Sequence, residues 1–222
     1  MQPLSFEPQN VPSPSVPSSA PFRLRPRMLL WIALGIVVLA SVAAIAAGPL
    51  MSRVEQPKYE VVDASGAIEL RTYAPMVIAE VETTGERRPA IEEGFRRIAA
   101  YIFGRNASAT KIAMTAPVAQ QSVGAQQWTV SFIMPAQWSL ATLPAPGDSG
   151  VRLVPVASRK MIAITFPGTA TTELIAAKTR ELRDYAAAKG IKVTGEPLLA
   201  FYNPPWTLPI LRRNEVLFAL SE

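Results

Sequence analysis

The 24 consecutive residues from Met28 to Met51 carry no charge. No ordinary globular core holds a stretch of this kind. At about 1.5 Å of rise per residue, a helix of this length crosses a hydrocarbon layer about 30 Å thick. The run exceeds the roughly 7–15 apolar residues of a secretory signal, and a long polar segment precedes it. The spacing therefore predicts an uncleaved signal-anchor, a transmembrane helix over residues 28–51. The small-residue triplet Ala44-Ile-Ala46 marks cleavage as the competing reading. The run divides the chain into a tail of residues 1–27, the span itself, and a domain of residues 53–222. Arg23, Arg25 and Arg27 precede the run, whereas Arg53 and Lys58 follow it. Basic residues favour the cytoplasmic side. The expected topology is a single pass with a cytoplasmic N-terminus and the large domain outside, periplasmic in a bacterium.

The tail is rich in Pro and Ser, centred on Asn10-Val-Pro-Ser-Pro-Ser-Val-Pro-Ser-Ser19. Too few apolar residues are present there to offset chain entropy, so it reads as a disordered tether. The chain contains neither histidine nor cysteine. Disulfides, thiolate nucleophiles, Ser-His triads and the usual zinc sites are thereby excluded. The net charge is +5, but basic and acidic residues are interspersed and no Lys/Arg run exceeds two. That pattern is a solvated surface rather than a nucleic-acid footprint.

Within the domain, hydrophobic periodicity alternates between strand and helix. Tyr59–Asp63 and Ala67–Tyr73 read as strands around a Ser65-Gly66 turn, and Met76–Thr83 alternates clearly. Pro89 is expected to open a helix. Ile91, Phe95, Ile98 and Ile102 form its apolar stripe, and Gly104 ends it. Two or three strands are expected within 111–135, then a Pro/Gly loop over 139–150. Strands follow at Val151–Pro155 and Lys160–Phe166. A second helix runs from about Thr171 to Lys189 with Leu174, Leu182 and Tyr185 on one side. Leu198–Tyr202 and Glu215–Leu220 close the chain as strands. Each half reads as strands, helix, strands. The expected fold is α+β: a pseudo-duplicated, distorted antiparallel β-barrel or curved sheet carrying two amphipathic helices, preceded by one N-terminal transmembrane helix.

Two segments then stand out: Lys111-Ile-Ala-Met-Thr-Ala-Pro-Val118, and Phe201-Tyr-Asn-Pro-Pro-Trp206 followed by Arg212-Arg-Asn-Glu-Val216. Pro117 cannot donate to a ladder, so a strand there should lie at an edge or a bulge. Met114 either fills core or lines a pocket. Trp206 either leans over a pocket mouth or covers a barrel end. Arg212 and Arg213 meet either a ligand carboxylate or a structural acid such as Glu215. Together the two segments resemble the SOUL heme-binding family, and the resemblance covers residues 55–222. It implies non-covalent binding of heme or another tetrapyrrole by a hydrophobic surface pocket. The family's ligand-facing apolar positions on the first helix fall on Ile91, Phe95 and Ala99, with Ile102 one turn further. The family's basic positions fall on Glu92 and Ala100. Arg96, Arg97 and Arg105 either stand in for them or form a solvated helix face. The expected binding site is Ile91, Phe95, Ala99, Ile102, Met114, Trp206, Arg96 and Arg97.

Iron is ordinarily held by His or Cys. Here the remaining donors are Met76, Met114, Met134, Met161, Tyr73, Tyr101 and Tyr202, so no His/Cys ligation is expected. The partners expected are a tetrapyrrole and the membrane, with no nucleic acid. Two other readings stay open. One is a hydrolase using a strand carboxylate among Glu60, Glu69, Glu80 and Glu82, raised in pKa by burial. The other is a protein-interaction module at the membrane with no small ligand. The leading reading is a binder or carrier, not an enzyme.

Overall fold

The computed structural model describes residues 54–221. The tail and the apolar run at 28–51 lie outside the described residues, and among the described residues no helix is long and apolar enough to cross a membrane. Nine strands are present: β1 (Tyr59–Ser65), β2 (Ile68–Tyr73), β3 (Met76–Thr84), β4 (Val118–Gly124), β5 (Gln127–Ile133), β6 (Val151–Val156), β7 (Arg159–Phe166), β8 (Val193–Phe201) and β9 (Asn214–Leu220). Two helices, α1 (Arg87–Ile102) and α2 (Thr172–Ala188), interrupt them. The strands form one sheet in the order β1-β2-β7-β9-β8-β4-β5-β3-β6. Every pairing is antiparallel. The sheet curls into a half-barrel.

The order reveals the duplication. The unit β2-β3-α1-β4-β5 is repeated as β6-β7-α2-β8-β9. Exchanging equivalent strands reverses the order from β2 to β6 and leaves it otherwise unchanged. A pseudo-two-fold axis therefore passes between β4 and β8. β2 pairs with β7 of the other unit, and β6 with β3. β1 is an added edge strand.

Strand alternation assigns the two faces of the sheet. Both helices cover the same face. α1 lays Ile98, Tyr101 and Ile102 on Ala79, Val81, Val130 and Phe132. α2 lays Ile175, Leu182 and Ala186 on Ile162, Ile164, Val216 and Phe218. Burying each such aliphatic side chain contributes about 1.5–3 kcal/mol. α1 approaches closely because Gly94 faces Val130. A Cβ there would stand 2.5 Å from a Val130 methyl. Gly104 (φ +107°) and Gly190 (φ +68°) stop the two helices, as left-handed glycines do. The Thr171 hydroxyl caps α2 by accepting from the Leu174 N–H at 3.2 Å.

Three local expectations change. α1 begins at Arg87, so Pro89 lies within the first turn rather than at its opening, where its missing donor is still harmless. Lys111–Pro117 is not a strand. It is an irregular segment pinned by the Ile112 N–H on the Ile102 carbonyl (2.8 Å) and by the Thr115 hydroxyl on the Ile133 carbonyl (2.7 Å). Pro117 stands just before β4, an interior strand paired on both sides. Its lost donor is accommodated by ending the irregular segment there, not by an edge. β8 starts five residues earlier than expected, at Val193, and its register breaks between Thr194 and Leu198.

Candidate functional site

The face away from the helices carries the inward side chains of every strand from β2 onward. A cleft of about 300 Å³ opens there, its walls including Met76, Ile78, Ile133, Val154, Met161 and Leu217. A shallower cavity of about 650 Å³ adjoins it beside Trp138. The two share Pro57, Met76, Ile133 and Val156, so they form one groove with apolar walls. Arg159 lines the first cavity and Lys58 the second. Backbone pairing places both beside the Tyr73-Ala74 end of β2. Neither forms an ion pair among the described residues.

Beside the cleft lies a buried polar network. Arg71 and Glu215 are each 1 % exposed. The Arg71 guanidinium donates to both Glu215 oxygens, at 2.9 and 3.0 Å, and to the Tyr73 hydroxyl at 3.0 Å. Arg213 donates twice to Glu215 Oε1, at 2.9 and 2.7 Å, and to the Tyr59 hydroxyl at 3.1 Å. The Tyr202 hydroxyl donates to Glu215 Oε2 at 3.0 Å and that of Thr165 to Oε1 at 3.1 Å. Stacking reinforces the bonds: the Arg213 guanidinium carbon lies 3.9 Å from the Tyr202 ring centroid, and that of Arg71 lies 4.4 Å from Tyr59.

These contacts fix protonation. Burial works against the Glu215 charge, but Arg71 and Arg213 outweigh it and hold the carboxyl below its ordinary range. Burial likewise opposes the Arg71 cation, yet its bonds to Glu215 and Tyr73 raise its pKa. Burial pushes the Tyr73 phenol up to about 12 against the pull of Arg71. Burial, with the Glu215 charge beside it, also pushes Tyr202 up. The network thus holds its ions and phenols fixed across the physiological range. It ties β2, β7 and β9 together.

The expected site residues are spread over the molecule. Ile91 and Met114 are half-buried against the α1 core. Phe95 is 39 % exposed, with its ring 5.5 Å from that of Phe132. Ala99 and Ile102 are buried, and Ile102 packs in the core between helix and sheet. Arg97 is committed to Asp148 by bonds of 2.7 and 2.8 Å. Those bonds, with the Gly150 N–H, hold the Asp148 carboxyl at about 2. Arg96, Arg97 and Arg105 border a further cavity of about 380 Å³ beside α1. Trp206 is 69 % exposed and joins none of the buried clusters. Of the open alternatives, Arg213 takes the structural acid Glu215, whereas Arg212 donates to the Thr207 carbonyl at 2.8 Å. Among the strand carboxylates, Glu60 and Glu82 are exposed, Glu69 binds Arg71, and Glu80 binds Arg152. Among the described residues no acidic cluster suited to a metal is present.

Glu215 was already the expected structural partner of Arg213, but Arg71 was legible only indirectly. In β2, Ile68 and Leu70 alternate with Glu69, Arg71 and Tyr73, which puts a charged row on the face opposite the core. The sequence does not reveal that this second face is also buried.

The chain matches the SOUL heme-binding protein family over residues 54–219. It belongs to that family. No curated protein is significantly similar to it. Among solved structures, it resembles a hydrolase from Listeria innocua at 12 % identity and a TM-score of 0.52, covering 72 % of this chain and 94 % of that one. It also resembles the C-terminal domain of EcmrR at 10 % identity and a TM-score of 0.52, covering 74 % and 98 %. At such identities the likeness is one of fold.

Proposed function

We propose that this protein is a membrane-anchored binder or carrier of heme or a related tetrapyrrole, and that the ligand lies in the concave groove. One observation carries the placement. The groove joins apolar walls to two cations, Lys58 and Arg159, that have no acidic partner among the described residues. A porphyrin presents the complement, a broad apolar ring with carboxylates at one edge. The family match supplies the ligand class. The donor set fits the ring better than the iron. Met76, Met134 and Met161 are the sulphur-bearing residues that line the groove, while the Tyr73 and Tyr202 hydroxyls already bond to Arg71 and Glu215. Retention therefore rests on the macrocycle and its carboxylates. The carboxylates that line the groove are either held by a cation, as Glu80 is by Arg152, or exposed, as Glu55 and Glu196 are, and none is buried as a base would be, which favours binding over hydrolysis.

The test is a titration with hemin and with protoporphyrin IX, followed by absorbance. Reversing both cations (Lys58→Glu with Arg159→Glu) should weaken both ligands by more than tenfold. A porphyrin without carboxylates should be insensitive to the change. Unchanged affinity in that variant, with loss in Phe95→Ala, would move the site to the outer face of α1.

A further inference from the structure

The loop Asn203–Arg213 presents Trp206, Leu208, Ile210 and Leu211 to solvent, at 69, 47, 79 and 46 % exposure. It is the densest exposed apolar patch among the described residues. The loop is stapled from within rather than slack. The Arg213 N–H donates to Asn203 Oδ1 at 2.6 Å, Arg212 to the Thr207 carbonyl at 2.8 Å, and the Thr207 N–H to the Pro204 carbonyl at 3.0 Å. Those bonds hold its four apolar side chains outward. No acid occurs between Tyr202 and Asn214, so nothing in the loop opposes approach to an anionic surface.

Its position gives the patch a meaning. The loop sits where the domain begins. Arg213 donates to Gln56 Oε1 at 3.1 Å, the Ala116 N–H binds the Glu55 carbonyl at 2.9 Å, and Val54 packs on the cluster that contains Tyr202. The uncharged run ends at Met51, three residues before Val54. Three extended residues reach about 10 Å. If the run spans a bilayer, Val54 lies within that distance of the lipid surface, and the Trp206 loop lies beside it. Trp is the side chain suited to the interfacial layer, and Leu and Ile to the acyl boundary below it.

We infer that the loop 203–213 is a second membrane contact. Trp206, Leu208, Ile210 and Leu211 dip into the bilayer at the foot of the anchor, and so fix the orientation of the domain on the membrane. The occupant is the lipid surface, not a protein groove. The inference goes beyond ligand binding and rests on the run 28–51 being a span.

The native chain has no cysteine, so single-cysteine spin labelling needs no background removal. The full chain is reconstituted into phosphatidylcholine vesicles containing phosphatidylglycerol. Labels are placed one at a time at Ile210→Cys, Leu208→Cys, Val123→Cys and Leu39→Cys. Val123 is also exposed, at 51 %, but lies at the opposite end of β4 from the loop. Collisions with oxygen report lipid, and collisions with a nickel chelate report water. The expected result is loss of chelate collisions at Ile210, Leu208 and Leu39, with Val123 open to the chelate. Lipid at Leu39 with water at both loop positions would overturn the loop contact and leave the anchor intact. Water at Leu39 would overturn both. Loop labels shielded from oxygen and chelate alike would assign the patch to a protein partner or a second copy, which also overturns the proposal.

Discussion

Glu215→Gln is expected to destabilise the domain strongly, without rearranging its backbone. The carboxylate accepts from Arg71, Arg213, Tyr202 and Thr165. The amide has one acceptor oxygen, and its NH₂ would face donors. Arg71 would stay buried, left with only the partly exposed Glu69 as counter-charge. Breaking a buried pair from one side costs about 3–5 kcal/mol. At about 2–4 °C per kcal/mol for a domain of this size, melting should fall by roughly 6–20 °C. The pH dependence adds a second signature. The folded carboxyl titrates below its ordinary value of about 4.3. Its contribution is therefore fully present above that value and is lost as pH falls through the lower, folded value. Glu215→Gln should flatten this acid limb of the stability profile. Differential scanning calorimetry from neutral to acid pH reads both effects. Removing both partners (Arg71→Met with Glu215→Leu) should recover only part of the loss, because no bare charge remains at position 71 but the half-buried Arg213 loses its acid. A shift smaller than the 2–4 °C expected of a single kilocalorie, with an unchanged acid limb, would refute the reasoning.

Gly94→Ala should cost about 1–3 kcal/mol, because its Cβ would meet Val130 at 2.5 Å; thermal melting reads it. Phe95→Ala should lower stability by less than the 3–5 kcal/mol of a fully buried Phe, since the ring is 39 % exposed, and should leave hemin affinity unchanged. Metal-free protoporphyrin should bind within about tenfold of hemin, or roughly 1.4 kcal/mol. A thousandfold preference for hemin would mean that iron is firmly ligated, and Met76→Ala, Met134→Ala and Met161→Ala would then locate the ligand. Protease added outside intact spheroplasts should remove the domain and spare the tail if the anchor has the expected topology. A protein recovered wholly in the soluble fraction would count against the span.

The fold was legible wherever one face of an element is apolar and the other polar. Ile91, Phe95, Ile98 and Ile102 marked α1, and the alternation of Met76–Thr83 marked β3, because each lies between core and solvent. The reading failed where backbone contacts decide. Lys111–Pro117 has strand-like residues, but its bonds run to Ile102 and Ile133. Those partners are set by tertiary placement and leave no periodic trace. The groove was illegible for another reason. Residues such as Ile78, Thr129 and Ser131 alternate with core positions and so read as a solvated face. Only the curl of the sheet makes that face concave. Family resemblance pointed to α1, while the chemistry of this chain's unpaired cations points across the sheet to Lys58 and Arg159.

The duplication explains why the groove is lopsided. Val81 pairs with Val130 and Val151 in one half, and Ile164 pairs with Val216 and Ile68 in the other. Aligning those triplets sets Arg71 against Val154, Tyr73 against Val156, and Glu215 against Thr129. All six side chains point to the concave face. In one half, the long charged and phenolic side chains meet and fill the space, and β1 adds Tyr59 over Arg71. In the other half, the equivalent side chains are short and make no such contacts, so Val154, Val156 and Thr129 line an open cleft. The cleft thus takes in the space that the ion network fills in the other half, and Tyr73 and Tyr202 of the network form part of its wall. Its capacity is set by three small residues where the duplicated half holds an arginine, a tyrosine and a glutamate.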